Sequence, residues 1–273
     1  MCQSLDKLVY LKECYCSSHK FSGDVLVRLG ASFSLCHNIE VLDISKCSLG
    51  VKLEKTVTKE ALKFLTSEQC KIKKLIMHNN NFDSFFATYL MDALQLNSSV
   101  KHLDISSNQL AHKSGIIPGM NDMLKNNRTI VSLNISFNNI QSAGLADIFE
   151  SLPLNQTLDE LYLDGSTTGN QSMMAMEIYM KNFNLTKLYL NANYISDATF
   201  IKMGSFLATG SPLQVLHVRN NIISAKGVEG FCAHVGTNNT LKELDLSGNA
   251  FENEVRIALK ALLDTTNIES VEL

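Results

Sequence analysis

The stretch Val100-Lys-His-Leu103-Asp-Ile105-Ser-Ser-Asn108-Gln-Leu110 contains the pattern that decides the fold. Leu103 and Ile105 alternate with polar residues, as in a strand that buries one face. Asn108 falls where the chain turns, so its amide is predicted to satisfy backbone groups left open at the strand end. The same spacing returns at Ile130/Leu133/Ile135/Asn138/Ile140, Leu185/Leu188/Leu190/Asn193/Ile195, Leu213/Leu216/Val218/Asn221/Ile223 and Leu241/Leu244/Leu246/Asn249/Phe251.

The spacing of these copies indicates what lies between the strands. Their first apolar positions are residues 39, 72, 100, 130, 158, 185, 213, 241 and 268, so the pattern recurs every 27 to 33 residues. Such a period leaves room for a strand, a turn, a helix of about three turns and a return loop. Ile148, Phe149 and Leu152 show the helical spacing. The repeat resembles the leucine-rich repeat, and its long period is similar to that of the ribonuclease-inhibitor class.

The resemblance implies an α/β leucine-rich repeat solenoid, a horseshoe with a parallel sheet on its concave face and helices on its convex face. Repeats fill the chain, so we predict one solenoid over residues 1–273. Residues 1–38 are expected to form an atypical N-terminal capping repeat, with a weak copy of the pattern from Leu5. Residues 268–273 are predicted to form an incomplete C-terminal repeat. Its strand edge is open, and we expect either more chain or a partner to cover it.

Composition narrows the class of partner and the compartment. The formal net charge is -3 and the sequence pI about 6.2, which disfavours nucleic acid and membrane surfaces as partners. The 7 cysteines are an odd number and form no even framework, which favours a reducing compartment. Residues 1–10 lack the pattern of a signal peptide. We therefore expect a cytoplasmic protein, or one delivered into a host cell without a classical signal peptide.

The repeat that begins at Leu158 departs from the pattern. Ser166 stands at the Asn position and Thr168 at the apolar position that follows. We expect the chain to leave the Asn ladder early here and to loop through residues 165–169. Two interpretations stay open, a repeat that has drifted and a loop reshaped for a partner.

Residues between the apolar positions of each strand are predicted to face the concave surface. These positions hold seven carboxylates and three Lys or Arg, so the face is mildly acidic and favours a partner with a basic patch. Tyr and Arg are frequent anchors of interfaces, although Tyr also suits strand surfaces. The predicted partner-binding residues are Phe137, Glu160, Tyr162, Asp164, Tyr189, Asn191, His217, Arg219 and Asp245.

Three motifs invite a chemical interpretation that we reject. His102-x-Asp104-x-Ser106 holds the residue types of a catalytic triad, but Asp-x-Ser recurs in other repeats and belongs to the repeat itself. Cys14-x-Cys16 lacks a second ligand pair for zinc. We therefore predict no catalytic residue, no metal and no cofactor. Asn-x-Ser/Thr triplets precede most strands and are interpreted as turn residues: Asn97, Asn127, Asn155, Asn184 and Asn238.

The resemblance implies a non-catalytic module for protein–protein interaction, since similar solenoids bind proteins through their curved sheet. Ribonuclease-inhibitor-like proteins bind and block enzymes, so an enzyme inhibitor or regulator is one expectation. Similar solenoids also occur among bacterial effectors. The alternatives are a small-GTPase activating protein and an actin-binding scaffold similar to the tropomodulin repeat domain. We expect a monomer before complex formation, and an enzyme or signalling protein as partner.

Overall fold

The computed structural model of the chain alternates short strands with helices. It describes residues 10–35, 37–50, 54–82, 84–108, 110, 116–166, 170–179 and 183–273. The chain divides into two compact units. Unit 1 comprises Met1–Asn139 and Leu154–Leu158, and unit 2 comprises Ile140–Pro153 and Asp159–Leu273.

In unit 1 the strands and helices follow one another as the repeat predicts. The strands are β1 (Glu13–Tyr15), β2 (Val41–Asp43), β3 (Lys74–Ile76), β4 (His102–Asp104) and β5 (Ser132–Asn134). The helices are α1 (Gly23–Leu35), α2 (Lys55–Leu62), α3 (Ser84–Leu96) and α4 (Ile116–Asn126). All neighbouring strands pair in parallel, and the register aligns the central residues Cys14, Leu42, Leu75, Leu103 and Leu133.

Unit 2 begins with a helix and continues with the same alternation. Its helices are α5 (Ser142–Ser151), α6 (Asn170–Tyr179), α7 (Asp197–Ala208), α8 (Ala225–Val235) and α9 (Asn253–Leu263). Its strands are β6 (Glu160–Tyr162), β7 (Lys187–Tyr189), β8 (Val215–His217), β9 (Glu243–Asp245) and β10 (Ser270–Glu272). They pair in parallel with the central residues Leu161, Leu188, Leu216, Leu244 and Val271 in register.

The core of each unit lies between its sheet and its helices. Leu103 is 2% exposed and Leu216 is 0% exposed, as the repeat pattern predicts for central strand residues. Aromatic side chains from the helices fill the layer behind, for example Phe200 of α7 and Phe231 of α8, which stack with ring centroids 4.2 Å apart. Packing of neighbouring repeats in this layer buries apolar surface that one repeat cannot bury alone.

Buried asparagines close the turns after the strands, as predicted. In unit 1, Asn108 donates from Nδ2 to the carbonyls of Met77 (3.0 Å) and Ile105 (2.9 Å). Its Oδ1 accepts the backbone N–H of Asn80 at 2.7 Å. In unit 2, Asn221 Oδ1 accepts the N–H of Asn193 at 2.8 Å. Each amide therefore bonds to the backbone of the preceding repeat, which ties neighbouring turns together.

A second set of asparagines lies before the strands. Asn127 Nδ2 donates to the carbonyl of Leu94 at 2.7 Å, while its Oδ1 accepts the N–H groups of Thr129 and Ile130. Asn97, Asn155 and Asn238 make the same bonds and are also buried. The interpretation of these triplets as turn residues is confirmed at these four positions. Asn184 differs, because it is exposed.

The N-terminal strand does not lie where the weak copy from Leu5 placed it. Leu5 lies outside the described residues, and Tyr10 is in a turn. The strand that pairs with β2 is centred on Cys14, and Leu11 stands 28 residues before Ile39. Cys14 of β1 and Cys16 just after it therefore occupy apolar core positions, where other repeats carry Leu, Ile, Val or Met.

Two further irregularities of the sequence have a structural outcome. In the longest repeat α2 ends at Leu62 and the chain continues as a 3-10 helix over Lys63–Thr66, which together are no longer than α3. Most of the extra length lies between β2 and α2, which are 11 residues apart, against 7 between β3 and α3. At the irregular repeat, Gly165 adopts φ +63° and the Ser166 side chain is buried, and its hydroxyl lacks a hydrogen-bond partner among the described residues. Residues 167–169 of the expected loop lie outside the described residues.

Within the residues that the structure describes, every helix is too short or too polar to cross a bilayer. Cys16, Cys47, Cys70 and Cys232 are free thiols. Cys47 holds the position of the turn Asn in its repeat, and its backbone N–H donates to Asn80 Oδ1 at 2.7 Å.

Candidate functional site

The outward face of the unit 2 sheet carries most of the predicted partner-binding residues. Because central residues such as Leu188 point into the core, the residues on either side of them point outward. The parallel register sets Tyr162 beside Tyr189, Tyr189 beside His217, and His217 beside Asp245. Residues far apart in the sequence thus form one continuous row.

We name Tyr162, Tyr189 and His217 the aromatic row. The two tyrosine rings stack with centroids 4.1 Å apart and planes inclined by 3°. The His217 ring meets Tyr189 edge-on, at 4.8 Å and 79°. Burial raises the pKa of Tyr162, and its hydrogen bond with Tyr189 raises it further. Burial also raises the pKa of Tyr189, so both phenols stay neutral at physiological pH.

The row ends in a cluster of charges around His217. Its Nε2 lies 2.6 Å from Glu243 Oε1, and its Nδ1 lies 4.0 Å from Asp245 Oδ2. Asp245 Oδ1 accepts the N–H and the hydroxyl of Ser247 at 2.9 and 2.6 Å. Its Oδ2 lies 3.4 Å from Arg219 Nε. Since Asp245 is only 4% exposed, it positions Arg219 and His217 and presents little open carboxylate to a partner.

Asp164, Asn191 and Arg219 link the ends of β6, β7 and β8. Asp164 Oδ1 accepts the backbone N–H of Asn191 at 2.8 Å. Asn191 Oδ1 in turn accepts the backbone N–H of Arg219 at 2.8 Å. Burial raises the pKa of Asp164, against the hydrogen bonds from Asn191 and the charges of His217 and Arg219. The carboxyl group of Asp164 is therefore held half-buried at the edge of the outward face of the unit 2 sheet.

Charge on this face is mostly negative. Lys187 forms a close ion pair with Glu160 on the adjacent strand, and the Arg219 side chain lies against Asp245. The outward positions of the described unit 2 strands and the turns after them hold five carboxylates against the two cations Lys187 and Arg219: Glu160, Asp164, Glu243, Asp245 and Glu272. Because each cation already faces a carboxylate, the face attracts further positive charge.

Phe137 and the other predicted partner-binding residues belong to different units. Phe137 belongs to unit 1, follows β5, and is 56% exposed at φ +56°. The remaining predicted residues lie in unit 2. Binding of a partner by Phe137 stays a prediction of its own.

Sequence reasoning missed Glu243, which hydrogen bonds to His217, and Lys187, which pairs with Glu160. Both occupy outward strand positions. Periodicity therefore placed them on the outward face, but they were not among the predicted partner-binding residues. It also overlooked Tyr194 and Ile222, which are 71% and 59% exposed in the turns after β7 and β8. An apolar residue directly after the turn Asn, where most other repeats carry a polar residue, was the available signal.

The triad-like motif is a local turn. Ser106 donates to Asp104 Oδ1 from its backbone N–H (2.9 Å) and its hydroxyl (2.7 Å). Asp43 and Ser45 make the same pair of bonds at 2.9 and 2.6 Å. The interpretation of Asp-x-Ser as part of the repeat is confirmed, since these side chains satisfy the backbone beyond each strand.

The thiol pair of the first strand was the remaining candidate for metal chemistry. Cys14 and Cys16 place their sulfur atoms 3.4 Å apart, and the hydrogen bond from Cys14 lowers the pKa of Cys16 to about 7. His19 directs Nδ1 to the backbone carbonyl of Ser17 at 2.8 Å. Among the residues that the structure describes, no three His, Cys, Asp or Glu side chains lie together as metal ligands.

A strand and a helix in each repeat, with a buried Asn at most turns, make this chain a leucine-rich repeat protein. The profile of the family described as Leucine Rich repeat matches residues 96–114, 126–149 and 237–259. The leucine-rich repeat-containing protein LegL7 from Legionella pneumophila has a similar fold, with a TM-score of 0.55 and 15% identity. The similarity covers 93% of this chain and 89% of that one.

Two proteins similar in sequence come from mammals. NACHT, LRR and PYD domains-containing protein 4E of Mus musculus is 24% identical over 230 residues. Tropomodulin-4 of Bos taurus is 29% identical over 126 residues. The matched regions cover 71% and 45% of this chain, but they span only 23% and 35% of the respective relatives. Leucine-rich repeats are generally non-catalytic binding modules, so the fold suggests protein–protein interaction.

Proposed function

We propose that this chain is a non-catalytic module that binds a protein partner through the outward sheet face of unit 2. The observation that carries the proposal is the aromatic row, a stacked tyrosine pair with His217 against its edge. Half-buried aromatic side chains offer a large contact area and lose little conformational freedom on binding. The row is already ordered without a partner, which reduces the entropic cost of association.

The surrounding charge selects the kind of partner. Glu160, Asp164 and Glu243 surround the row, and Arg219 is held by Asp245. A partner with a basic patch matches this field, whereas a phosphate backbone would be repelled. We propose an enzyme or signalling protein as that partner, which the module binds and thereby inhibits or regulates. A reducing compartment and a role as a bacterial effector or effector regulator are part of this proposal.

Affinity capture tests the proposal. The baits are the parent chain and a variant with Tyr162, Tyr189, His217 and Arg219 changed to Ala. A matched control changes His78 and His102 to Ala, since both lie on the unit 1 sheet face. We expect one partner to be retained by the parent and the control and lost by the quadruple variant. Equal retention by all three baits would contradict the proposed site.

Assays with the captured partner then distinguish a regulator from the alternative functions. A regulator should change the partner's activity in a stoichiometric complex. A small-GTPase activating protein would accelerate phosphate release at catalytic amounts. The similarity to Tropomodulin-4 keeps an actin-binding scaffold as the second candidate, and altered growth of actin filament ends would support it.

A further inference from the structure

Two exposed apolar side chains lie at the C-terminal edge of the strands that carry the aromatic row. We name Tyr194 and Ile222 the ledge. They hold the position directly after the turn Asn in consecutive repeats, and they are 71% and 59% exposed. Ile222 donates its N–H to the carbonyl of Ile195 at 3.1 Å, and a parallel bridge joins it to Ser196. The two turns are therefore fixed to each other.

The backbone at Tyr194 makes this side chain unexpected. Its φ is +57°, a region that small polar residues and glycine enter more readily than bulky ones. Equivalent turn positions with positive φ carry Ser48, Asn81 and Asn139. An aromatic ring here is unfavourable for the local backbone and is also exposed to water. Neither feature helps the fold, which points to a role in contact with another molecule.

The ledge lies next to the acidic part of the candidate site. Asn191 and Arg219 each lie three residues before a ledge residue, and Asp164 bonds to Asn191. Tyr189 and His217 of the aromatic row lie two residues before Asn191 and Arg219. Even if the chain were fully extended, Tyr189 and Tyr194 would be no more than about 16 Å apart. A partner segment of about five extended residues spans that distance.

We propose that the ledge anchors an apolar side chain of a linear partner segment whose Lys or Arg lies against the carboxylates that surround the aromatic row. This inference rests on the proposed function and specifies its ligand as a basic, amphipathic peptide segment. The surplus of carboxylates selects the cation, and the ledge selects the apolar residue. In an extended segment, the cation and the apolar anchor lie no more than about five residues apart, because the surface sets that spacing.

Selection from a library of random linear 12-residue peptides displayed on phage provides the test. The bait is the full chain, and the counter-bait is the double variant Tyr194→Asn/Ile222→Asn. Asn is native at equivalent positions with positive φ, so the variant should keep the thermal unfolding temperature of the parent. Enriched peptides are expected to contain Lys or Arg within about five residues of an aliphatic or aromatic residue.

Fluorescence anisotropy with the most enriched peptide then measures each contact. We expect the double variant to bind at least tenfold more weakly than the parent, and Ser48→Asn to bind as the parent does. Less than a twofold loss in the ledge variant, with binding still abolished by the aromatic-row quadruple variant, would overturn the ledge and leave the proposed function standing. Enrichment of acidic peptides, or of none, would overturn the basic segment as ligand.

Discussion

Gly30 of α1 packs directly against the backbone of Ala61 in α2, so a methyl group added to Gly30 would overlap the Ala61 carbonyl oxygen. The helices of these two repeats can approach closely only because position 30 lacks a side chain. Gly119 of α4 differs, since a methyl group there would meet Met91 Cβ at 3.6 Å, an ordinary contact.

We therefore expect a Gly→Ala substitution to have opposite effects on the free energy of unfolding at these two positions. Gly30→Ala should lower the free energy of unfolding by about 1–3 kcal/mol, because the overlap involves backbone and forces the helices apart. Gly119→Ala should raise it by about 0.5–1 kcal/mol, because Ala favours the helix and meets no obstacle. Urea denaturation of both variants measures the effect, and a gain in stability for Gly30→Ala would refute the packing argument.

The asparagines before the strands give a second comparison between neighbours in sequence. Asn238 is buried and bonds to Leu207, Thr240 and Leu241, whereas Asn239 is exposed. Asn238→Ala should cost about 2–3 kcal/mol, because it leaves buried backbone groups without partners. Asn239→Ala should stay within about 0.5 kcal/mol of the parent. Equal effects would mean that the bonds of Asn238 contribute little to stability.

The tyrosine stack is expected to contribute to stability as well as to binding. A double-mutant cycle of Tyr162→Ala and Tyr189→Ala should show a coupling of about 0.5–1.5 kcal/mol in the free energy of unfolding. Tyr162→Ala combined with Ile257→Ala of α9, three repeats away, should be additive. A coupling near zero for the two tyrosines would indicate that the rings do not stack in solution.

Asp164 allows stability and binding to be separated. Burial raises its pKa in the folded state, so between the unfolded and folded pKa values the folded chain binds more protons and stability falls as pH rises. Asp164→Asn keeps an oxygen for the Asn191 N–H and removes the buried charge. The variant should be more stable than the parent at pH 7, and this difference should shrink towards pH 3.

The same variant should bind a basic partner more weakly, because a carboxylate of the site is lost. Free energies of unfolding at both pH values, with affinities at pH 7, measure the two effects. A loss of stability at pH 7 would show that the charge of Asp164 stabilises the fold after all.

Sequence periodicity predicted the strands well wherever Leu, Ile or Val filled the apolar positions, as at Leu103 of β4 and Leu216 of β8. It failed at β1, because Cys14 and Cys16 occupy those positions and a pattern of larger apolar residues favoured Leu5. The size of the period also indicated the helices, since a strand alone cannot fill it.

The candidate site was predictable only in part. Strand alternation placed Tyr162, Tyr189 and His217 on one face, but it could not show that the tyrosines stack or that Asp245 is buried. These features depend on side-chain conformations and on charges that face each other across strands, for example Glu243 and His217. Such contacts join residues about one repeat apart, so no local pattern records them.

Backbone N–H groups of several turns donate to the turn asparagine of the following repeat. Cys47 donates its N–H to Asn80, Asn80 to Asn108, and in unit 2 Asn193 to Asn221. In these turns the amide that completes the turn comes from the repeat that follows it. During synthesis, such a turn therefore stays open until roughly one further repeat has left the ribosome, so the maturation of each unit proceeds from the N-terminal side with a lag of one repeat.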